Sequence, residues 1–322
     1  QSLKKSLKSF CPKNMASQTK IKVVGVGGSG SNAVSRMKKS RIKGVELIAI
    51  NTDAQDLVKA RADIKLRIGK KATQGLGSGM NPEVGRKSAE ESRAEILESL
   101  KGADMIFVTC GLGGGTGSGA SPLVAELAKS TGALTIGVVT RPFSFEGLYR
   151  RKISDNAERI LKEKVDSLLS IENDKLLSVL DPKVTLLNAF WICDDILRQA
   201  VQGISDLIVL PGIINVDFAD VKTITKNAGT ALFGVGRACG EKRAEQAARI
   251  ALQSPLLDIS PKGAKGILFN VSGQDISLAE IEEVGQVIAQ EVNPQAKIIF
   301  GAVENPALKK GEIKVTVIAT GF

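Results

Sequence analysis

The stretch Cys110-Gly-Leu-Gly-Gly-Gly-Thr-Gly-Ser-Gly119 indicates how this chain folds. Residues 103–109, directly before it, are apolar and β-rich, which predicts a short buried strand. Residues 118–130, which follow, place Leu123, Val124 and Leu127 on one face of a predicted helix. The glycines then occupy a strand-to-helix turn, where free backbone N–H groups and the helix dipole attract anions. Because glycine allows positive φ and close approach of a ligand, this turn predicts a loop that binds two or three phosphates.

The type of phosphate loop follows from what surrounds the glycines. A P-loop has Lys and Ser/Thr directly after its last glycine, and this stretch does not. Residues 113–119, Gly-Gly-Gly-Thr-Gly-Ser-Gly, instead resemble the signature of the tubulin and FtsZ GTPases. The resemblance covers residues 21–322 and is closer to FtsZ than to tubulin. It implies an α/β fold in which a Rossmann-like parallel-sheet GTPase domain is joined by a long central helix to a smaller α+β C-terminal domain.

Length and composition restrict the possible functions. A chain of 322 residues predicts about two domains. The absence of histidine excludes His-based triads and most His-containing metal sites, and the few aromatic residues argue against a stacking surface for single-stranded nucleic acid. Cys11, Cys110, Cys193 and Cys239 form no CxxC motif and indicate reduced thiols in a cytosol-like compartment. No apolar run is long enough to span a bilayer.

The net charge of +10 is concentrated at the start of the chain. Residues 1–45 contain eleven Lys and Arg and no acidic residue, whereas the rest has 33 basic and 34 acidic residues. The preferred interpretation is a solvated, disordered arm over residues 1–19. A remnant of an organelle transit peptide and an electrostatic contact with acidic lipid or a partner are the alternatives.

A second glycine loop follows the first predicted strand, residues 20–26. Gly25, Gly27 and Gly30 fit G-x-G-x-x-G, and Asp53 follows the next predicted strand, residues 45–50. Together these match the dinucleotide fingerprint, so an NAD-binding oxidoreductase is one alternative. A dehydrogenase has no need of a second polyphosphate loop, and the resemblance assigns both loops to one nucleotide, GTP.

The resemblance implies nucleotide contacts from five loops. Those of the first three are Gly27, Gly28, Ser29, Gly30, Ser31, Asn32, Asn51, Asp53, Gly77, Ser78 and Gly79. Those of the central loop and the strand after it are Gly111, Gly113, Gly114, Gly115, Thr116, Gly117 and Pro142. GTP or GDP is the implied cofactor, with Mg²⁺ on the phosphates and no direct protein ligand.

The base and ribose contacts are implied farther along the chain. Glu146 and Arg150 are four residues apart, which alone suggests a surface ion pair; the resemblance places them at the ribose and nucleotide. Asn173 is implied to meet the guanine edge, Phe190 to stack on the base and Asp194 to accept from guanine N–H groups. Glu172 stands where FtsZ usually has proline, and Trp191 and Cys193 where it more often has small or aliphatic residues.

An acidic loop follows the predicted central helix, residues 190–208. Asp217 and Asp220 are three residues apart at a predicted helix start, so both carboxylates can face one way. Asn215 or Asp217 could simply cap that helix. The sequence Asn215-Val-Asp-Phe-Ala-Asp220, however, resembles the loop that FtsZ inserts into its neighbour's nucleotide site, which gives these three residues a catalytic role.

These observations give one working hypothesis. Residues 20–188 form the GTP-binding domain, 189–220 the central helix and catalytic loop, and 221–322 the C-terminal domain. The resemblance implies a division GTPase that assembles head to tail into filaments, active on polymerisation, with a paralogue as a possible co-polymer and membrane-tethering proteins as partners. No nucleic-acid contact and only indirect membrane contact are expected. The helix sequence and the basic arm favour the plastid stroma at the division site over the bacterial cytoplasm at midcell, and a filament scaffold without hydrolysis is the other alternative.

Overall fold

The structure is a computed structural model that describes residues 19–177, 183–209, 212–214, 216–254 and 261–322. In these ranges the strands are β1 Ile21–Val26, β2 Val45–Asn51, β3 Ile64–Arg67, β4 Met105–Gly111, β5 Leu134–Arg141, β6 Ser167–Glu172, β7 Gly229–Cys239, β8 Gly266–Gly273, β9 Lys297–Glu304 and β10 Glu312–Thr320. They form one sheet in the order β3-β2-β1-β4-β5-β6-β7-β10-β8-β9.

Helices cover the sheet and connect its strands. In the same ranges they are α1 Gly27–Lys39, α2 Ala54–Lys59, α3 Lys70–Thr73, α4 Pro82–Glu91, α5 Arg93–Leu100, α6 Gly115–Ser130, α7 Leu148–Lys164, α8 Asn173–Leu177, α9 Leu186–Val209, α10 Phe218–Thr225, α11 Arg243–Leu252 and α12 Leu278–Glu291. Short 3₁₀ turns span Ser144–Glu146 and Pro261–Gly263. None of the helices in the described ranges has the length and apolarity needed to cross a bilayer.

The first six strands are parallel, which places their carboxyl ends at one edge of the sheet. β1 and β4 are neighbours, so the two glycine loops that follow them lie side by side. Strand β4 is buried from Met105 to Cys110, as expected of a parallel strand with helices on both faces. This arrangement confirms the predicted α/β class and brings both phosphate-loop candidates to one place.

The C-terminal strands are of mixed direction. β10 runs antiparallel to β7 and β8, and β8 is parallel to β9. Three residue pairs, which align Ser167–Leu169 with Gly229–Ala231, join this part to the N-terminal sheet. The expected smaller α+β unit is therefore present, and its strands continue the sheet of the N-terminal part.

The long helix α9 contacts both parts of the molecule. It packs against α1 and β5 of the N-terminal part and against β9 of the C-terminal part. Its buried face includes Leu197, Ala200, Val201, Ile204 and Leu207, spaced as one side of a helix requires. The predicted helix over 190–208 is confirmed, and it begins four residues earlier, at Leu186.

The sequence pattern of residues 83–100 predicts one continuous helix, and this prediction is wrong. The structure has two helices there, α4 and α5, separated at Ser92 with φ −104° and ψ 18°. The Ser92 hydroxyl accepts a hydrogen bond from the Gly69 N–H at 3.3 Å. That partner lies 23 residues away in the sequence, so the local sequence around Ser92 carries no sign of the break.

Candidate functional site

The two glycine loops are in direct backbone contact. Gly27 has φ +74°, and a Cβ there would lie 2.8 Å from the backbone nitrogen of Gly117. A side chain would therefore require an unfavourable backbone conformation and would also push the loops apart. Gly30 packs equally closely, with its would-be Cβ 2.6 Å from the Thr109 carbonyl oxygen. These glycines allow the two loops to pack closely, and the adjacent residues of the loops can contact a ligand.

The first turn of α6 provides free donors at the centre of the site. Gly114 occupies the N-cap position and has no side chain to accept from the N–H groups of the first turn. A Cβ at Gly114 would meet nothing within 4 Å, so the space in front of these donors is open. An uncapped helix start beside open space is the geometry of an anion site.

Thr116 ties three loops together at this point. Its Oγ1 hydrogen-bonds with Thr52 Oγ1 at 2.6 Å and with Ser78 Oγ at 2.9 Å. The loop after β2, the loop before α4 and the central loop therefore converge on one hydroxyl. Sequence reasoning missed Thr52, although it lies between Asn51 and Asp53, two residues that the resemblance had selected.

A cleft of about 240 Å³ opens beside these loops. It brings together fourteen of the residues expected to contact the nucleotide: Gly28, Ser29, Ser78, Gly111, Gly114, Gly115, Thr116, Gly117, Pro142, Glu146, Arg150, Asn173, Phe190 and Asp194. Val26, Leu112, Thr140 and Cys193 complete the lining without having been predicted. Residues from three strand ends and from α9, spread over 169 positions from Val26 to Asp194, thus form one binding site.

The other nine expected contacts lie outside the cleft lining. They are Gly27, Gly30, Ser31, Asn32, Asn51, Asp53, Gly77, Gly79 and Gly113. Several of them shape the surrounding loops: Asp53 accepts from the Asp56 N–H as the N-cap of α2, and Gly77, Gly79 and Gly113 adopt positive φ. Their direct contact with a nucleotide stays a prediction.

One end of the cleft has the properties of a base pocket. Phe190 lies 38 % exposed at the cleft and meets Phe143 edge to face, with ring centroids 5.5 Å apart. Asn173 is 5 % exposed, and its Oδ1 has no hydrogen-bond partner in the described structure. A buried acceptor without a donor is costly, so Asn173 Oδ1 needs a partner from outside the described residues. A base with N–H donors supplies one.

Asp194 is the charged group of this pocket. Burial raises the pKa of its carboxyl to about 6, while Arg36 and a hydrogen bond from Ser29 act in the opposite direction. The Nε of Arg36 donates to Asp194 Oδ2 at 3.1 Å. Near neutral pH the carboxyl is therefore mostly ionised and can accept from two N–H groups, as the guanine edge requires.

The remaining ionisable groups of the cleft are already engaged. Glu146 accepts from the Phe143 N–H and from Arg150 Nη1, each at 2.9 Å. Burial and the neighbouring Asp194 raise the pKa of the Cys193 thiol to about 12, which keeps it neutral. Glu146 and Asp194 are the carboxylates of the lining, and neither is free to serve as a base at the α6 end.

The acidic loop lies at the opposite end of α9. Asp217 is the N-cap residue of α10, but its side chain makes no capping hydrogen bond, and Asp217 and Asp220 are both exposed. Neither carboxylate has an ion-pair partner among the described residues. Capping therefore does not explain Asp217. The prediction for Asn215 lies outside the described residues.

The hydrogen-bond donors and acceptors of the cleft fit a guanine nucleotide. The uncapped α6 start suits phosphates, and Asn173 with Asp194 suits a base that presents N–H groups. Among the described residues, no group of three or more Asp, Glu, Cys or His side chains could hold a metal ion. A metal ion at this site would need ligands besides such side chains, and phosphate oxygens and water can supply them.

Comparison with known proteins agrees with this geometry. Residues 20–181 match the model of the tubulin/FtsZ family GTPase domain, and residues 229–322 match that of the FtsZ family C-terminal domain. The chain is 44 % identical to a structure described as an empty FtsZ dimer from M. jannaschii, covering 99 % of this chain and 91 % of that one, with a TM-score of 0.91. A tryptophan-to-tyrosine variant of the M. jannaschii protein matches at 46 % identity over 94 % and 91 %, also with a TM-score of 0.91.

A more distant match shares the fold alone. CetZ2 from Haloferax volcanii, described as a GTPγS-bound protofilament, is 21 % identical over 94 % of this chain and 92 % of that chain, with a TM-score of 0.79. The two family models and the M. jannaschii structures identify the family without the help of this distant match. The chain belongs to the FtsZ family of tubulin-like GTPases.

Proposed function

We propose that this FtsZ-family GTPase assembles head to tail into protofilaments and hydrolyses GTP where one subunit meets the next. The observation that carries the proposal is the separation of two incomplete halves. The cleft has a phosphate loop and a base pocket but no free carboxylate at its phosphate end. Asp217 and Asp220 are exposed carboxylates that have no ion-pair partner within the described ranges.

The length of α9 keeps the two halves of one subunit apart. Asp194 lies near the start of the helix in the cleft, and Val209 ends it fifteen residues later. At 1.5 Å per residue this is about 22 Å along the helix axis, and the acidic loop begins only beyond that point. A second subunit stacked on the first would bring its acidic loop to the first subunit's phosphates. Such a contact is heterologous and does not close, so it generates a filament.

Exposed apolar side chains at both ends of the molecule support this stacking. At the cleft end, Leu76 is 84 % exposed and Leu148 is 78 % exposed. At the other end, Ile213 and Leu278 are exposed next to an apolar depression of about 540 Å³ that includes Phe300. Two apolar surfaces at opposite ends of one chain are suited to bury each other in a repeating contact.

The chemistry needs little beyond positioning and charge. Water attacks the γ-phosphorus, the bond to the bridging oxygen breaks, and phosphate and GDP leave. The incoming Asp217 and Asp220 orient and polarise that water, and the N–H groups of the first turn of α6 stabilise the charge on the phosphates. Mg²⁺, held by phosphates and water, would supply further charge neutralisation when it is bound.

The decisive experiment mixes two inactive variants. Asp220→Ala keeps a sound cleft. Gly114→Val places a side chain at the start of α6, where a Cβ meets no atom within 4 Å, and keeps a sound acidic loop. Each alone is expected to hydrolyse GTP poorly, and the mixture is expected to recover activity. The control replaces the second partner by the double variant Gly114→Val/Asp220→Ala. Co-assembly without any gain of activity over that control would refute hydrolysis in trans.

The biological role, partners and location of the protein are also part of the proposal, but they are not argued from the geometry of the cleft. A division-ring role, membrane-tethering partners and co-polymerisation with a paralogue follow from the family and from nothing else. Placement in the plastid stroma, with the bacterial cytoplasm as the alternative, rests on the basic N-terminal sequence and the α9 sequence. A filament that does not hydrolyse GTP is the alternative that the mixing experiment also tests.

A further inference from the structure

The guanidinium of Arg36 lies between two side chains of α9. Its Nε donates to Asp194 at 3.1 Å, and its Cζ lies 5.4 Å from the centre of the Trp191 ring. Arg36 belongs to α1, 158 residues away from Asp194 in sequence, so the packing of α1 on α9 creates the contact. Neither Arg36 nor Trp191 lines the cleft, and the proposed function gives neither of them a role.

We infer that Arg36, held in place by Trp191, is a positioning residue that orients Asp194 and keeps it charged for guanine. This inference rests on the proposed GTP site and adds two residues, Arg36 and Trp191, that support its preference for guanine. Arg36 contacts a single carboxylate oxygen, Oδ2, through Nε. The two oxygens of a carboxylate have about four acceptor positions, so Asp194 can still accept from the guanine N–H groups beside its bonds from Arg36 and Ser29.

The need for such a residue follows from the surroundings of Asp194. The side chain is 7 % exposed, and burial opposes its ionisation. A protonated carboxyl has an O–H that would point a donor at the donors of guanine. The cation beside it lowers the free energy of the charged form, so without Arg36 the carboxyl would be protonated at a higher pH.

Trp191 provides the second contact that fixes the arginine. Its ring is half exposed and offers a flat face to the guanidinium, a cation–π arrangement. The side chain of Arg36 is itself only 25 % exposed. An arginine held on both sides loses little further freedom when it contacts Asp194, so its hydrogen bond is pre-organised.

Other charged groups near Asp194 do not replace Arg36. Asp195, the next residue of α9, is paired with Arg198 and is also within reach of the charge of Arg36. Glu146, which faces Cys193 from the 3₁₀ turn, is neutralised by Arg150. Of the described groups that face Asp194, Arg36 is the cation that counteracts its burial.

The opposite role would be that of a competitor. A guanidinium presents N–H donors much as guanine does, so Arg36 could occupy the place of the base in the empty protein. The two roles predict opposite changes in affinity when Arg36 is replaced. A positioning residue makes binding weaker when it is lost, whereas a competitor makes it stronger.

The test measures GDP and IDP binding by calorimetry from pH 5.5 to 8. The two nucleotides differ only in the 2-amino group of the base. Both are diphosphates, so neither is a substrate for hydrolysis and binding can be measured at equilibrium. The wild type is expected to prefer GDP by about 10- to 100-fold, the value of a hydrogen bond to a charged acceptor. In Arg36→Met the midpoint at which this preference is lost should move up by about one pH unit or more.

Three further variants make the result specific. Arg36→Lys, which keeps a cation, should restore much of the profile, and Trp191→Phe should retain it because an aromatic face remains. Trp191→Leu should shift it in the same direction as Arg36→Met but less. Arg61→Met removes an exposed arginine that has no ion-pair partner among the described residues, and it should leave the profile unchanged.

The outcomes separate this inference from the proposed function. If Arg36→Met keeps the wild-type pH profile, or binds GDP more tightly, Arg36 does not position Asp194. Equal affinity of the wild type for GDP and IDP at every pH would remove the role of Asp194 in base selection and the inference with it. Failure of the wild type to bind either nucleotide would overturn both the inference and the proposed function.

Discussion

Gly119 lies inside α6 at the place where α4 crosses most closely. A Cβ there would lie 1.9 Å from the Pro82 carbonyl oxygen and 2.8 Å from the Arg86 backbone nitrogen, so Gly119→Ala must push α4 away. Overpacking of this kind costs about 1–3 kcal/mol and more in rigid places. Alanine also stabilises a helix by about 1 kcal/mol relative to glycine, which offsets part of this cost. With the cost at the upper end because both obstacles are backbone atoms, we expect a net loss of about 2 kcal/mol.

Gly285 provides the matched control. It also lies in the middle of a helix, α12, but a Cβ there would meet only Phe269 Cζ at 3.9 Å. Gly285→Ala should therefore raise the free energy of unfolding by about 1 kcal/mol, because alanine has the higher helix propensity and causes no clash here. Urea unfolding measures both changes. Thermal unfolding of Gly119→Ala should show a midpoint lower by about 3 °C, from an unfolding entropy of about 2.1 cal/mol/K per residue over the whole chain.

The Gly119 variant also tests how the site is built. Moving α4 displaces Ser78, whose hydroxyl contacts Thr116, so GDP affinity should fall together with stability. The Gly285 variant should bind GDP normally. If Gly119→Ala is as stable as the wild type, or if it loses stability while its GDP affinity is untouched, the link between α4 packing and the phosphate loop is wrong.

Three further predictions use simpler measurements. Thr116→Ala should weaken GDP binding at least about tenfold in calorimetry because it removes the hydroxyl that ties three loops, while Thr116→Ser should bind normally. The pKa of Asp194 is about 6 in the folded protein, above that of the unfolded chain, so the nucleotide-free wild type loses stability as the pH rises through 6. Asp194→Asn should therefore be more stable than the wild type at pH 7.5, by up to about 3 kcal/mol. Urea titrations should show that this gain vanishes towards pH 4. Iodoacetamide should label exposed Cys239 rapidly in the native protein, whereas buried Cys110 and Cys193, whose pKa values are raised to about 12, should react only after unfolding, as peptide mass spectrometry would show.

The phosphate loop could be predicted from the sequence because its information is local. Glycines between an apolar strand and an amphipathic helix specify a turn with exposed N–H groups, and that turn is present where α6 begins at Gly115. The parallel sheet was implied by the resemblance to the tubulin and FtsZ GTPases. Glu146 and Arg150 form the ion pair that their spacing suggests, at 2.9 Å, and both also line the cleft, which spacing alone did not show.

The rest depended on contacts between distant parts of the chain. Ser92, at the break between α4 and α5, is hydrogen-bonded to Gly69, and Arg36 contacts Asp194, which lies 158 residues away in the sequence. Thr52 is an ordinary polar residue until the fold places it against Thr116. Trp191 could be singled out as unusual from the sequence, but its arginine partner could be found only in the structure.

The choice between the two nucleotides suggested by the glycine loops can be argued from groups that the empty protein leaves unsatisfied. The uncapped start of α6 needs anions, which any polyphosphate provides. Asn173 Oδ1 is a buried acceptor without a partner in the described structure, and the buried Asp194 carboxylate, which accepts from Arg36, has room for further donors. The corresponding edge of adenine offers one donor beside an acceptor nitrogen that the carboxylate would repel, whereas guanine offers donors on adjacent atoms. A guanine nucleotide therefore satisfies both ends of the cleft at once, and a nicotinamide–adenine dinucleotide satisfies only the phosphate end. This complementarity, together with the family, decides for GTP over a dinucleotide cofactor.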